Sequence, residues 1–566
     1  MNHLADFTHE SLEVGASPVV QHFLRRLQLQ TFFERFLPPA QTGAPEKLSC
    51  AATLTALVGH LLLCRQPLYG LRDWFARCVP EHLGLTPTDV AVLNDDRFGR
   101  ALQCLFDADG ACLLTALVLH VIGEFTIEMK RIHNDSTSIT ASGRYANQAD
   151  VEEKDRAPLL ARGHNKDHRP DLKQLLYCVS VSADGAVPIH FKLYDGNTAD
   201  DVTHQETWES LRQLVGHVDF LYVADCKLCS RENLNFIASA GGRFLTVVPR
   251  TRKEIGWMQQ YVQEQEVSWK EVRRQSKKRG TSKHDVVYEG FEYPQPCSDG
   301  YRLLWYRSSV KQAEDRASRT ERLEKFRTWH QAFQGSAKRR RFAGEEQALA
   351  KGRQVVQEQH VSDWIGVRVE KHLEIRETQV GRGRPGANTQ YERREEIEYE
   401  LIFEENPAAI AAAEKCDGLF CLTSNDENLT LKDFLAHYKY QPFLEKRFEQ
   451  LKTVFEVTPL WLKEPERIAG LLFVYYIVLL VESLIEREVR QRMKSQKLTS
   501  LPLYPEGRPS KAPTTELVLA AFERHRRHRL IDADGQLVRT FHDPLPEGAQ
   551  QLLALLEIEP TSFGLA

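Results

Sequence analysis

Three carboxylates carry the chemistry this sequence can offer. Asp135 ends the first strand-like segment, in HNDSTSI at 133–139, and Asp225 ends the continuous apolar run VDFLYVA, in VADCKLCS at 223–230. Ligands of open sheets collect where strands end. Two strand-end acids on neighbouring strands place hard oxygen donors side by side, which suits magnesium. A pair of such ions about 3.5–4 Å apart activates an attacking oxygen and stabilises a leaving one in phosphoryl transfer. The third acid of such a site is Glu445, within the pattern Tyr438, Gln441, Glu445, Lys452. At about 100° per residue these four side chains share a roughly 60° arc of one helix. That face suits a groove holding metal and phosphate, with Glu445 on metal and Lys452 on phosphate. Glu449 lies near the same stripe and is a rival ligand.

The bland alternatives are plain. A lone aspartate at a strand end is usually a cap or turn residue, and a Glu with a Lys on a helix is usually a solvated face. The joint pattern argues for a site: an acid on the first strand, one on the fourth and one on a late helix, in an RNase H-like order of elements.

The elements that must position these acids fall into five regions. Residues 1–124 read as a helical N-terminal domain, with amphipathic helices at 19–36, 51–63, 95–105 and 111–122. Residues 125–250 read as strand, a hairpin of two strands turning at Asp184-Gly185, helix, strand, helix, strand. Residues 251–415 mix short strands such as 301–306 with long charged stretches, and GRGRPG at 381–386 reads as a flexible loop. Residues 416–490 hold a strand at 418–423 and a long helix at 430–455, in which Pro442 predicts a kink or a helix start near Gln441. Residues 491–566 add a Pro-rich connection and two short helices, near 516–526 and 547–556.

Composition excludes several classes. The 566 residues are 42% hydrophobic and 27% charged, which rules out a mainly disordered or collagenous chain. A net charge of −4 excludes a uniformly basic binder but not an enzyme with local basic clusters. The eleven scattered cysteines, with no basic start or apolar core in residues 1–13, predict reduced thiols in a cytoplasmic protein. The longest apolar run, 468–481, has 14 residues where a span needs about 20. It predicts a buried core helix and no membrane partner.

The motifs HNDSTSI, GHNKDHRPDLKQ (163–174), DGNTAD (195–200), VADCKLCS and the Tyr438–Lys452 pattern together resemble the DDE transposases of bacterial insertion sequences, in the IS-four-like superfamily. LNDDRFGRAL (93–102) and PEGRPSKAPT (505–514) are similar to the branch with a helical N-terminal domain and a Y-R-E-K signature, and the resemblance covers nearly the whole chain. It implies an α/β RNase H-like catalytic core interrupted by a β-containing insertion domain, with a small helical C-terminal region. It also implies Asp135, Asp225 and Glu445 as the metal-binding triad, two Mg2+ ions with Mn2+ as a substitute, and Tyr438 and Lys452 on DNA near the cleaved end. The activity implied is binding of terminal inverted repeats, metal-dependent strand cleavage and transfer into target DNA. A homodimer pairing two ends and a place on the nucleoid go with it. The signature's arginine is Gln441 here, a neutral amide that can bond phosphate without the bidentate cation. A decayed DNA-binding derivative, or an RNase H-like nuclease without strand transfer, are the alternatives.

Other residues carry weaker signals. Lys166 and Arg169, in the polar loop, can meet phosphate. Residues 270–283 and 319–353 each carry a net charge of +6, and Lys338, Arg339, Arg340 and Arg341 together with residues 273–279 are candidate DNA contacts. Residues 524–529 (RHRRHR) are similar. Cys226 and Cys229 have zinc spacing, but no second pair completes four ligands. His164, Asp167 and His168 could ligate by spacing alone. Trp257, Trp269, Trp305 and Trp329 are core residues or base-stacking platforms.

Overall fold

The computed structural model describes all residues except 1–6, 40–46, 65–69, 144, 146–156, 168, 280–281, 337–341, 343, 458–459, 461 and 566. The chain forms two compact units, one of residues 1–246 with 436–566 and the other of residues 247–435. The N-terminal helices and the C-terminal segment therefore share a unit with the acid-bearing strands.

The first unit opens with strand β1 (Thr8–Glu13) and helices α1 (Ser17–Arg26), α2 (Leu29–Phe36), α3 (Cys50–Leu63), α4 (Leu71–Arg77), α5 (Pro87–Val92), α6 (Asp95–Phe106) and α7 (Gly110–Phe125). The single helix expected at 19–36 is two, because Gln28 takes a left-handed conformation at φ 51°. Polar side chains start the others where the sequence suggests: Ser49, Asn94 and Asp109 each accept a backbone N–H of the first turn.

Strands β2 (Arg131–Ala141), β3 (Lys173–Ser182) and β4 (Pro188–Tyr194) follow, then α8 (Thr203–Val215), β5 (Leu221–Ala224), α9 (Arg231–Ser239) and β6 (Arg243–Val247). They lie in the order β4-β3-β2-β5-β6. β2–β3 and β3–β4 are antiparallel, while β2–β5 and β5–β6 are parallel.

The second unit holds α10 (Lys253–Glu264), β7 (Lys270–Arg279), β8 (Ser282–Glu292), β9 (Arg302–Ser308), α11 (Ser309–Gln334) and α12 (Glu345–Glu358). A long hairpin of β10 (Ile365–Gln379) and β11 (Tyr391–Glu405), α13 (Pro407–Lys415) and β12 (Leu419–Ser424) complete it. Its strands run β12-β9-β8-β7, with β10–β11 apart. The hairpin's base packs on α11 and α12 through Leu323, Phe326, Val355, Leu401 and Phe403.

The helix expected at 430–455 is interrupted. α14 (Leu431–Tyr438) stops, α15 (Gln441–Glu449) starts with Pro442 in its first turn, and residues Gln450–Val454 wind as a π-helix. α16 (Pro465–Ser495) contains the 468–481 run, and 94% of its most apolar window is buried inside the chain. Gly470 lets it close on α6: a Cβ there would meet the Leu102 carbonyl at 2.4 Å. The chain ends with α17 (Thr515–Ala520), β13 (Arg526–Ile531), β14 (Leu537–His542) and α18 (Glu547–Leu556).

The C-terminal region is thus not purely helical. β13 pairs with β1 from the other end of the chain and with β14.

Candidate active site

The parallel register of β2 and β5 builds the site's floor. Asn134 pairs with Ala224, so Asp135 stands beside Asp225, which directly follows β5. Contrary to expectation, Asp135 does not end its strand, because β2 stays paired with β3 on to Ala141. Asp225 caps the short turn after β5, accepting the Lys227 N–H at 3.0 Å. Asp135 accepts the Ser136 N–H at 2.7 Å. Burial raises the Asp135 carboxyl, Lys166 pulls it down and Asp225 and Asp200 raise it again, for a net value of about 7. Burial likewise raises Asp225, against the Lys227 N–H and Lys166 and with Asp200. The two acids thus lie in a pocket of excess negative charge.

Lys166 sits among them. Its Nζ is 3.7 Å from Asp135 and 3.3 Å from Asp200, and it donates to the Ser136 hydroxyl at 3.0 Å. Burial alone would lower this ammonium's pKa, but Asp135 and Asp200 outweigh it and the net shift is upward. Asp200 was not singled out by sequence reasoning. Its signal was present: DGNTADD places three acids in seven residues.

Two of the sequence motifs form one packed loop around Lys166. Lys166 N–H donates to Ser138 at 3.1 Å, and Asn165 donates to Gln174 at 2.9 Å. Gln174 in turn donates to the Gly196 carbonyl at 2.8 Å, and its backbone pairs with Ala161. Glycine is required at this crossing. A Cβ on Gly196 would stand 1.9 Å from the Gln174 carbonyl oxygen, and one on Gly163 would stand 2.1 Å from the Gly196 oxygen.

Glu445 is exposed on α15, and two buried side chains of that helix fix its position. Gln441, 7% exposed, donates to the Asn134 carbonyl at 3.4 Å, and its Oε1 lies 3.1 Å from His133 Nδ1. Arg447 donates to the carbonyls of Ala186 and Gly185 in the β3–β4 turn, to Gln450 and to Glu486 of α16. Tyr440 adds a bond, its hydroxyl accepting the Ala186 N–H at 2.8 Å. α15 is thereby tied to the strand that carries Asp135.

Tyr438 connects the two halves of the site. Burial raises its hydroxyl to about 12, with further contributions from the charges of Glu445, Asp225 and Cys226. The fields of Glu445 and Asp225 therefore overlap at one phenol. Among the described residues, no group of three His, Cys, Asp or Glu side chains is close enough to hold a metal ion.

The four-residue stripe needs correction. Tyr438 ends α14, Gln441 and Glu445 lie on α15, and Lys452 sits in the π-helical turn, so a constant 100° step does not relate them. Gln441 is spent inside the protein rather than held out to phosphate. Lys452 meets Asp167 at 2.6 Å, and Arg169 pairs with Asp171 at 2.7 Å.

The other candidates separate clearly. Lys338, Arg339, Arg340, Arg341 and His168 lie outside the described residues. Arg319 is buried in a two-pronged pair with Asp417, and Arg274 pairs with Glu271 and Asp285. In the 524–529 run, Arg526, Arg527, His528 and Arg529 each face an acid: Glu13, Glu81, Asp543 and Glu10. Cys226 and Cys229 form no disulfide. Trp305 is core, Trp329 packs on Phe333 and Phe403, Trp269 lies under Arg307, and Trp257 lies under Lys253.

Residues 10–119 match a family model described as "Domain of unknown function (DUF4277)". No curated protein matches the chain. Among solved structures, the chain is similar to a piggyBac transposase synaptic complex with hairpin DNA, at 10% identity and a TM-score of 0.38, over 89% of this chain and 79% of that one. It is also similar to a Mos1 transposase paired-end complex with left transposon end, at 11% identity and a TM-score of 0.14, over 37% of this chain and 61% of that one. A Mos1 mariner paired-end complex with Mn matches at 13% identity and a TM-score of 0.14, over 40% of this chain and 65% of that one. These likenesses are loose.

Proposed function

We propose that the chain is the DNA transposase of an insertion sequence, with Asp135, Asp225 and Glu445 as its catalytic acids. The observation that carries this reading is the β2–β5 register, which sets Asp135, midway along β2, beside Asp225, the residue after the end of β5. The order β4-β3-β2-β5-β6, with three antiparallel strands and then two parallel ones, is what an RNase H-like core requires. The interruption by residues 247–435 before α15 agrees with an insertion domain.

The donors fit Mg2+, with Mn2+ as its substitute. All are carboxylate oxygens, and a divalent cation would stabilise the Asp135 charge that burial, with Asp225 and Asp200, disfavours. When bound, two such ions would supply an activated attacking oxygen and a stabilised leaving oxygen. Asp135 and Asp225 would hold them from the strands and Glu445 from the helix. Gln441 and Arg447 keep that helix in place. Lys166, held among the acids, ties its loop to β2 through Ser136 and Ser138. Tyr438, Lys452 and Arg169 are the side chains we assign to the DNA backbone, Lys452 exchanging Asp167 for a phosphate. Lys338, Arg339, Arg340 and Arg341 are assigned to DNA by charge alone. The chain would bind terminal inverted repeats as a homodimer, nick each end and join it to target DNA.

Labelled end DNA with Mg2+ and a target plasmid tests this. The wild type should nick and join, and Glu445→Gln should bind without doing either. Cutting by Glu445→Gln at the wild-type rate would reject the assignment, and cutting without joined products would indicate a nuclease. A second reading, DNA binding without catalysis, is favoured by one observation: the three acids do not form a ready metal cluster among the described residues. End binding with no cutting by the wild type would select it.

A further inference from the structure

The hairpin β10–β11 is a stalk with a different charge at each end. Its strands stay paired from Ile365↔Glu405 to Gln379↔Tyr391. At about 3.3 Å per residue the 15-residue strands reach about 50 Å. Only the base is buried, through Ile365, Leu401 and Phe403. Along the stem, residues 365–379 and 391–405 carry ten acids against five Lys or Arg. Each of those five cations is held by a glutamate: Arg368 by Glu404, Lys371 by Glu345, Arg376 by Glu396, Arg393 by Glu377 and Arg394 by Glu392.

The tip differs. Residues 380–390 contain two arginines and no acid. Among the described residues, no ion pair holds Arg382 or Arg384, and both are exposed. Gly381 and Gly383 have φ of 105° and 146°, a region that favours glycine, yet a Cβ on either would meet nothing within 4 Å. Glycine is therefore present for backbone shape, not for internal packing. Pro385 removes a backbone donor and fixes the exit. The Gly383 carbonyl is held by the Gln379 amide at 3.0 Å, so the turn has a defined form.

We propose that the tip Arg382-Gly383-Arg384-Pro385 enters the minor groove of A·T-rich duplex DNA. The inference rests on the DNA-binding reading above and adds a sequence preference to it. A·T tracts have a narrow minor groove whose negative potential draws arginine. The guanine amino group is the feature that distinguishes G·C pairs in this groove and obstructs entry. A Gly between two arginines gives a backbone thin enough for the groove. The acidic stem argues against a ribbon lying lengthwise along DNA, because its excess glutamates would face phosphate. Contact is end-on, through the two free cations.

The test uses the full chain and two labelled duplexes of equal length, one A·T-rich and one G·C-rich, at fixed salt. Fluorescence anisotropy should show the wild type binding the A·T duplex about tenfold more tightly. R382A/R384A should lose that preference while keeping its far-ultraviolet circular dichroism, and R393A/R394A, in the stem, should retain it. Equal binding of both duplexes by the wild type, or a preference that survives in R382A/R384A, overturns the inference. If metal-dependent cutting persists beside that result, only the tip's role fails. If the wild type binds neither duplex, the DNA reading fails with it.

Discussion

Two glycine-containing loops of this protein use glycine for opposite reasons. At the loop around Lys166, Gly163 and Gly196 are forced by backbones crossing within the protein, and the cation between them is surrounded by acids. At the tip of β10–β11, a Cβ on Gly381 or Gly383 would meet nothing within 4 Å, and the arginines beside them have no acid partner among the described residues. The first region is built by its own contacts. The second is shaped for a partner. Similar residue types therefore carry different information, and surrounding contacts decide which reading applies.

The contrast can be broken most sharply at the buried cation of the first unit. Arg447→Ala leaves Glu486, 1% exposed, with only the more distant Arg490 guanidinium at 3.5 Å and releases the β3–β4 turn. A loss of about 3–5 kcal/mol is expected in urea unfolding. Arg384→Ala at the tip should leave the unfolding midpoint unchanged. Gly196→Ala should cost about 3 kcal/mol, since its Cβ collides with backbone rather than a yielding side chain. An unchanged midpoint would mean that the loop can open without penalty.

Asp135→Asn sharpens the electrostatic half of the comparison. The folded carboxyl titrates at about 7 against an ordinary 3.8, so the folded chain holds this proton more tightly than the unfolded one. Its contribution to stability is therefore lost as pH rises from about 4 to about 7, and stays lost above. Asn removes that dependence, so the variant should gain at most about 4 kcal/mol over wild type at pH 8 and nothing at pH 4. Mg2+ should recover the difference for the wild type alone. The smallest effect belongs to Gly383→Ala, where a side chain meets no atom but must adopt φ 146°: about 1–2 kcal/mol by thermal unfolding.

Much of the core was legible in the sequence because its signals are local. β-branched residues, the Asp184-Gly185 turn and the apolar VDFLYVA run located β2 to β5, and Asp225 follows the end of β5 as expected, whereas Asp135 lies midway along β2 because its strand runs on to Ala141. Pro442 marked the start of α15. What escaped was non-local or a change of helical step. The pairing of Leu12 with Arg527 joins opposite ends of the chain, so no window of sequence contains it. The π-helical turn rotates Lys452 away from the phase that a regular helix assigns. Gln441 read as a surface amide because its partners, His133 and Asn134, lie about 300 residues earlier. Asp200 escaped because its role depends on Lys166 arriving from another loop.

The central claim is that Asp135 and Asp225 together form a divalent-cation site. Titration of the intact protein with Mn2+ at pH 8, followed by the loss of free-ion electron paramagnetic resonance signal, tests it without DNA. The account predicts saturable binding by the wild type that Asp225→Asn weakens by tenfold or more, about the range for losing a metal-site partner. Equal binding by the wild type and by Asp225→Asn would contradict it.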